Sequence, residues 1–161
     1  MDQALFTNVV QIGIVVQCAA TTARRYQELL GLSDWHFNEV DTEHGKGANF
    51  RSSNKPIVAK ANIAWVQLGN VELELIEPRD EDSVYAKFLR EKGPGIHHVM
   101  FEAVQYDDCI KRMQTNAIPV LGSGELQHNR FHLFDTQADL GLICEIAEGD
   151  SLLPDHSPLG E

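Results

Sequence analysis

A chain of 161 residues, 43% hydrophobic and 23% charged, has the makeup of one folded domain or of two half-size modules sharing a core. Its formal charge of −11, with no cluster of Lys or Arg, excludes a nucleic-acid partner, because neutralising phosphates needs such clusters. Cys18, Cys109 and Cys144 are scattered without a CxxC pair, which reads as reduced thiols in a cytoplasm. The apolar stretch 9–16 is far short of the roughly 20 residues of a membrane span, and the acidic start lacks the basic residues of a signal peptide.

In chain order, 8–17 (NVVQIGIVVQ) is rich in β-branched residues and predicts a strand. Over 19–30 the period changes: Ala23, Tyr26, Leu29 and Leu30 recur at helical spacing, Thr21 or Thr22 is the expected cap, and Gly31 the stop. A strand is expected around 35–40. The polar, Gly-containing run 41–55 shows no periodicity and predicts a mobile loop. Strands follow at 59–68 and 71–77, joined by the hairpin pair Gly69-Asn70, and Pro78 ends the second. Asp82 or Ser83 caps a short helix, VYAKFLREKG, with Tyr85, Phe88 and Leu89 as its apolar stripe. A strand at 96–103, a helix at 106–116, and strands near 117–121, 130–135 and 141–147 complete the pattern. The tail 149–161 has two prolines and little apolar material, and predicts a flexible segment or one docked on a partner.

Each half therefore runs strand, helix, three strands. The predicted fold class is α+β: paired βαβββ modules, about 8–78 and 96–148, within a single domain 1–148. Compared position by position, Gln11 on the first strand corresponds to His98, and Glu74 on the last strand corresponds to Glu145. The first pair is about 16 residues further apart, so the first module carries an insertion, which the 41–55 run accommodates. Taken singly, Gln11 and Glu74 read as polar residues on a wet strand face. Four metal-competent side chains at two equivalent pairs of positions read differently, because strand alternation puts each on one face and two curved half-barrels converge there. Imidazole, amide oxygen and two carboxylates suit one divalent Zn, Co, Ni or Mn ion, with coordination positions left for a chelating substrate. His97 should point away from His98 by the same alternation. His128 and His132 could line a pocket, while His36, His44 and His156 read as solvent-facing.

The segment LGNVELELIEPRDEDSVYAKFLREKGPGIHHVMFEA, with QIGIVV, YQELLGL and LGLICEIAE, resembles the vicinal-oxygen-chelate superfamily, and within it the methylmalonyl-CoA epimerases. The resemblance covers about 8–147. It implies a glyoxalase-like half-barrel metal site, a homodimer, and metal ligands at Gln11, Glu74, His98 and Glu145. Two departures stand out. The epimerases carry His where this chain has Gln11, and the Gln, Glu, His, Glu set resembles zinc-type glyoxalase I. They also carry a catalytic Glu, in a segment resembling EQGV, where Pro56–Lys60 has no carboxylate. The implied chemistry is proton transfer next to a carbonyl of a small carbonyl or thioester substrate, with Glu145 as base and Glu74 serving the opposite face. Glyoxalase-like lyase activity, a metal-free drug-binding role and ring-cleaving dioxygenase chemistry are the alternatives. The last is disfavoured because Gln11 removes one of its two His ligands.

Overall fold

In the computed structural model, residues 3–156 are described. The first module comprises β1 (Phe6–Val15), α1 (Ala19–Leu30), β2 (His36–Asp41), β5 (Lys60–Leu68) and β6 (Val71–Pro78), with β3 (Ala48–Ser52) and β4 (Lys55–Pro56) inserted between β2 and β5. Helix α2 (Val84–Lys92) links it to the second module: β7 (Gly95–Ala103), α3 (Tyr106–Thr115), β8 (Val120–Leu126), β9 (Asn129–Phe134), the short α4 (Gln137–Leu140) and β10 (Cys144–Gly149). All strands join one sheet in the order β2-β5-β6-β1-β7-β10-β9-β8-β3-β4. The seam is antiparallel β1·β7, flanked by the parallel pairs β1·β6 and β7·β10, so the two halves mirror one another across it.

Strand alternation sorts the sheet into two faces. Ala64, Val66 and Leu75 point outward and pack under α1 with Ala19, Ala23 and Trp35, while Cys144, Ile146 and Phe134 pack with Tyr106 and Cys109 of α3. The opposite, concave face carries Ile63, Ile76, Phe50 and Leu126. Its curvature follows from the chain path. Asp41 at the end of β2 bridges to Lys46, and Ala48, two residues on, pairs with Glu125 of β8. Two residues reach roughly 7 Å, whereas seven strand spacings would part β2 from β8 by roughly 34 Å in a flat sheet. The sheet is therefore curled into a cup.

Several expectations are corrected. The run 41–55 is not a structureless loop: Thr42–His44 form a 3-10 turn capped by Asp41, and 48–56 form a hairpin, with Asn49 and Ser53 at positive φ, that extends the β8 edge. Cys18, not Thr21 or Thr22, is the residue before α1, and the Ala19 amide is taken by Glu77 Oε2 at 3.0 Å. Ser83 caps α2 as expected, accepting from the Ala86 amide at 3.1 Å. Strand β8 lies later than 117–121. The tail differs too, for residues 150–156 are docked on their own chain. The Phe37 amide donates to the His156 carbonyl, and Asn38 Nδ2 and Gln127 Nε2 both donate to the Leu153 carbonyl at 2.8 Å. Backbone and side-chain hydrogen bonds to two separate edges hold this strap where apolar content alone predicts nothing. Residues 157–161 lie outside the described residues.

Candidate metal centre

The seam sets the site. Gln11 and Gly13 on β1 face His98 and Met100 on β7 in direct register, with Glu74 beside Gly13 on β6 and Glu145 beside Met100 on β10. The four residues expected to share an ion come together. His98 Nε2 lies 3.2 Å from Gln11 Oε1, 2.6 Å from Glu145 Oε2 and 3.9 Å from Glu74 Oε1. Donor atoms about 2.1 Å from one ion and at right angles to one another lie roughly 3 Å apart. Gln11 and Glu145 stand near that spacing from Nε2, Glu74 stands further out, and the ligand atoms of Glu74, His98 and Glu145 do not all fall within 4.8 Å of one another. His98 is 1% exposed and its ring lies flat over Gly13, where a Cβ would sit 2.0 Å from Cε1 and 2.2 Å from Nε2. Only glycine leaves room for the imidazole.

Whether these residues fit a cation is answered by two observations. Glu145 Oε2 is buried with no hydrogen-bond partner, although His98 Nε2 lies 2.6 Å away. Among the described residues, buried carboxylates also crowd here with no Lys or Arg beside them, only the His98 imidazole. Burial, then the Glu145 and Glu72 charges, push the Glu74 carboxyl well above its usual range, and burial raises Glu72 against the opposing hydrogen bond from Gln11. Among the described residues no Lys or Arg lines the cup. Such buried carboxyl groups either keep their protons or take an opposite charge between them. The residues fit a divalent cation. A tighter cluster, Asp41, Glu43 and His44 with ligand atoms within 4.8 Å of one another, lies on an exposed turn and has neither feature.

Sequence reasoning missed three contributors. Glu72 accepts from Gln11 Nε2 at 2.8 Å, which turns Gln11 Oε1 toward His98. Its signal was available, since period 2 places Glu72 on the same face as Glu74. His97 does not point away: its Nδ1 lies 3.1 Å from His98 Nδ1. The register jumps from Gly13↔His98 to Ile14↔Ile96, so His97 is the extra residue of a bulge, which overrides alternation. Burial between Tyr85 and Phe88, with the His98 and Lys92 charges adding, lowers His97 to a pKa of about 3 and keeps it a neutral acceptor. Accepting from His98 Nδ1, His97 would favour the tautomer that leaves Nε2 free for an ion. Tyr85 of α2 reaches the cup wall. His132 bonds Tyr106 on the convex side, at 2.6 Å, and does not line the cup.

A doubled βαβββ sheet with donors converging at its seam defines the glyoxalase-like class. The sequence profile of the Glyoxalase/Bleomycin resistance protein/Dioxygenase superfamily matches residues 10–134, and the chain belongs to that family. It is 36% identical over 90 residues to the uncharacterised protein YqjC of Bacillus subtilis (strain 168), a stretch covering 56% of this chain and 53% of that protein. Over 65 residues it is 38% identical to the ethylmalonyl-CoA/methylmalonyl-CoA epimerase of Cereibacter sphaeroides, covering 39% and 48%. These matches thus span about half the length of the curated relatives. Among solved structures, a Streptomyces coelicolor methylmalonyl-CoA epimerase in complex with 2-nitronate-propionyl-CoA superposes with a TM-score of 0.67, at 21% identity, over 91% of this chain and 99% of that one. The epimerase from Mycobacterium tuberculosis gives 0.66 at 19%, over 94% and 93%. At these identities the likeness shows a shared fold. No helix among the described residues is long and apolar enough to cross a membrane.

Proposed function

We propose that this chain is a metal-dependent epimerase or racemase that moves a proton at the carbon next to a carbonyl, resembling the methylmalonyl-CoA epimerases in its chemistry. The observation that carries this reading is the unpartnered Glu145 oxygen facing His98 Nε2, with Gln11 and Glu74 completing the ring. Gln11, Glu74, His98 and Glu145 would hold one Zn, Co, Ni or Mn ion. When bound, a divalent ion supplies Lewis-acid stabilisation of the negative charge that develops on a carbonyl oxygen.

The chain's own groups do the rest. Glu145 sits where β10 meets the seam and takes the proton from the substrate carbon. Glu74, reaching the cup from β6 on the other side of His98, supplies a proton to the opposite face. Gln11, held by Glu72, and His98, held by His97, keep their donor atoms fixed while the charge shifts. The substrate is a small carbonyl or thioester compound; the acyl-CoA complexes of the similar structures support that class. A homodimer in the cytoplasm belongs to the same reading.

Methylmalonyl-CoA and other racemisable thioesters incubated in D2O with the Mn2+-loaded protein should take up deuterium at the α-carbon. Glu145→Gln should abolish that uptake, and uptake at the wild-type rate in the variant would remove Glu145 from the role. One observation favours a second reading. An amide oxygen stands at Gln11 where the epimerases carry His, as in zinc-type glyoxalase I. Turnover of the methylglyoxal–glutathione hemithioacetal, without deuterium uptake into thioesters, would decide for that lyase.

A further inference from the structure

The cup encloses about 490 Å3, within the range of small-molecule sites. Gln11, Glu72, Glu74 and Glu145 line it at the seam, and Gln67, Asp80, Ser83, Asn129 and Ser151 add polar groups elsewhere. The apolar part of the wall away from the seam includes Phe50, Trp65, Tyr85, Leu126, Phe131 and Leu152. Where the epimerase resemblance called for a carboxylate, in 56–60, Ala59 faces the cavity.

Two of these apolar side chains come from parts outside the doubled plan. Phe50 rides on the inserted hairpin. Its ring lies over Gly124, where a Cβ would sit 2.8 Å from the ring, and it meets Phe131 edge-on at 5.5 Å. Leu152 comes from the strap, whose neighbour Leu153 is bonded to both β2 and the β8–β9 turn. Both additions to the fold thus deliver apolar surface into the cavity. Among the described residues no Lys or Arg lines it, so a second carboxylate or a phosphate inside would face the acidic cluster without a cationic partner.

We propose that the substrate carries a bulky apolar group, aromatic or branched, beside its one pair of chelating oxygens, and that Phe50 and Leu152 set this preference. The inference deepens the chelating reading of the site and rests on it. A methyl substituent would leave the aromatic wall against water, whereas a phenyl or branched alkyl group replaces that water with apolar contact.

Pyruvate and phenylpyruvate, chelating acids that differ by a phenyl group, separate the two claims when titrated calorimetrically with and without Mn2+. Phenylpyruvate should bind roughly ten- to hundredfold more tightly than pyruvate, as burial of one aromatic ring warrants. Phe50→Ala and Leu152→Ala should each cut that ratio by about fivefold, with Phe50→Leu as the gentler variant should the alanine fail to fold. A wild-type ratio near one, or a ratio that survives intact in folded Phe50 and Leu152 variants, overturns the proposal. The chelation reading fails by a different sign, pyruvate binding that ignores Mn2+, so the two failures are read from separate curves.

Discussion

Placing a methyl group on Gly13 tests the centre at its tightest point. In Gly13→Ala the new Cβ would meet His98 Cε1 at 2.0 Å and Nε2 at 2.2 Å, while ordinary contact begins at 3.4 Å, so the ring must retreat by about 1.4 Å. Metal–ligand distances tolerate about 0.2 Å, so a shift some seven times larger takes His98 out of any shared shell. Overpacking of this kind costs about 1–3 kcal/mol, which for a chain of this size lowers Tm by roughly 2–10 °C. The neighbouring Gly95 gives the control, because a Cβ there meets nothing closer than Phe88 Cζ at 3.9 Å. Isothermal titration of Mn2+ or Zn2+ into the metal-free proteins should show affinity lost by at least a hundredfold in Gly13→Ala and kept within about twofold in Gly95→Ala. Wild-type affinity in Gly13→Ala would refute the claim that the imidazole over Gly13 is a ligand.

Two further outcomes follow from the surroundings of His98. Glu74 holds its proton more tightly folded than unfolded, so the folded state loses stability as pH rises above the ordinary carboxylate range toward the raised folded value. In the metal-free protein, Glu74→Gln should therefore melt higher than wild type at pH 8, with the gap closing as pH falls toward 4.5, and saturating Mn2+ should reverse the order; a gap indifferent to pH would sink the argument. Removing the acceptor that orients His98, in His97→Leu, should weaken metal binding by about ten- to a hundredfold, and titration at pH 7 giving unchanged affinity would show that the bulge has no such role.

The sequence made the four seam residues legible because their positions repeat between the halves, and because alternation puts Gln11 with Gly13 and Glu74 with Ile76 on shared faces. What remained hidden depends on partners distant in the chain. Ala48 pairs with Glu125, so nothing local in the polar 41–55 run announces a strand. Leu153 is fixed by Asn38 and Gln127, which again leaves no pattern in the tail itself. The His97 bulge arises from a register jump between β1 and β7, which periodicity within one strand cannot express. Glu72 was readable in principle, but three acidic residues in six positions look like a wetted face until the cup closes over them.

The curl that brings β2 back to the inserted hairpin also leaves the sheet with a middle and a rim. The β1·β7 seam joins residues about 85 positions apart, a costly loop to close, whereas Gln11 meets Glu74 within the first module and His98 meets Glu145 within the second. Native-state hydrogen exchange would follow the same gradient, slowest at the middle strands and fastest at the outer clasp. An ion seated at the middle would lie in the part of the sheet slowest to open, apart from the hairpin and the strap at the rim.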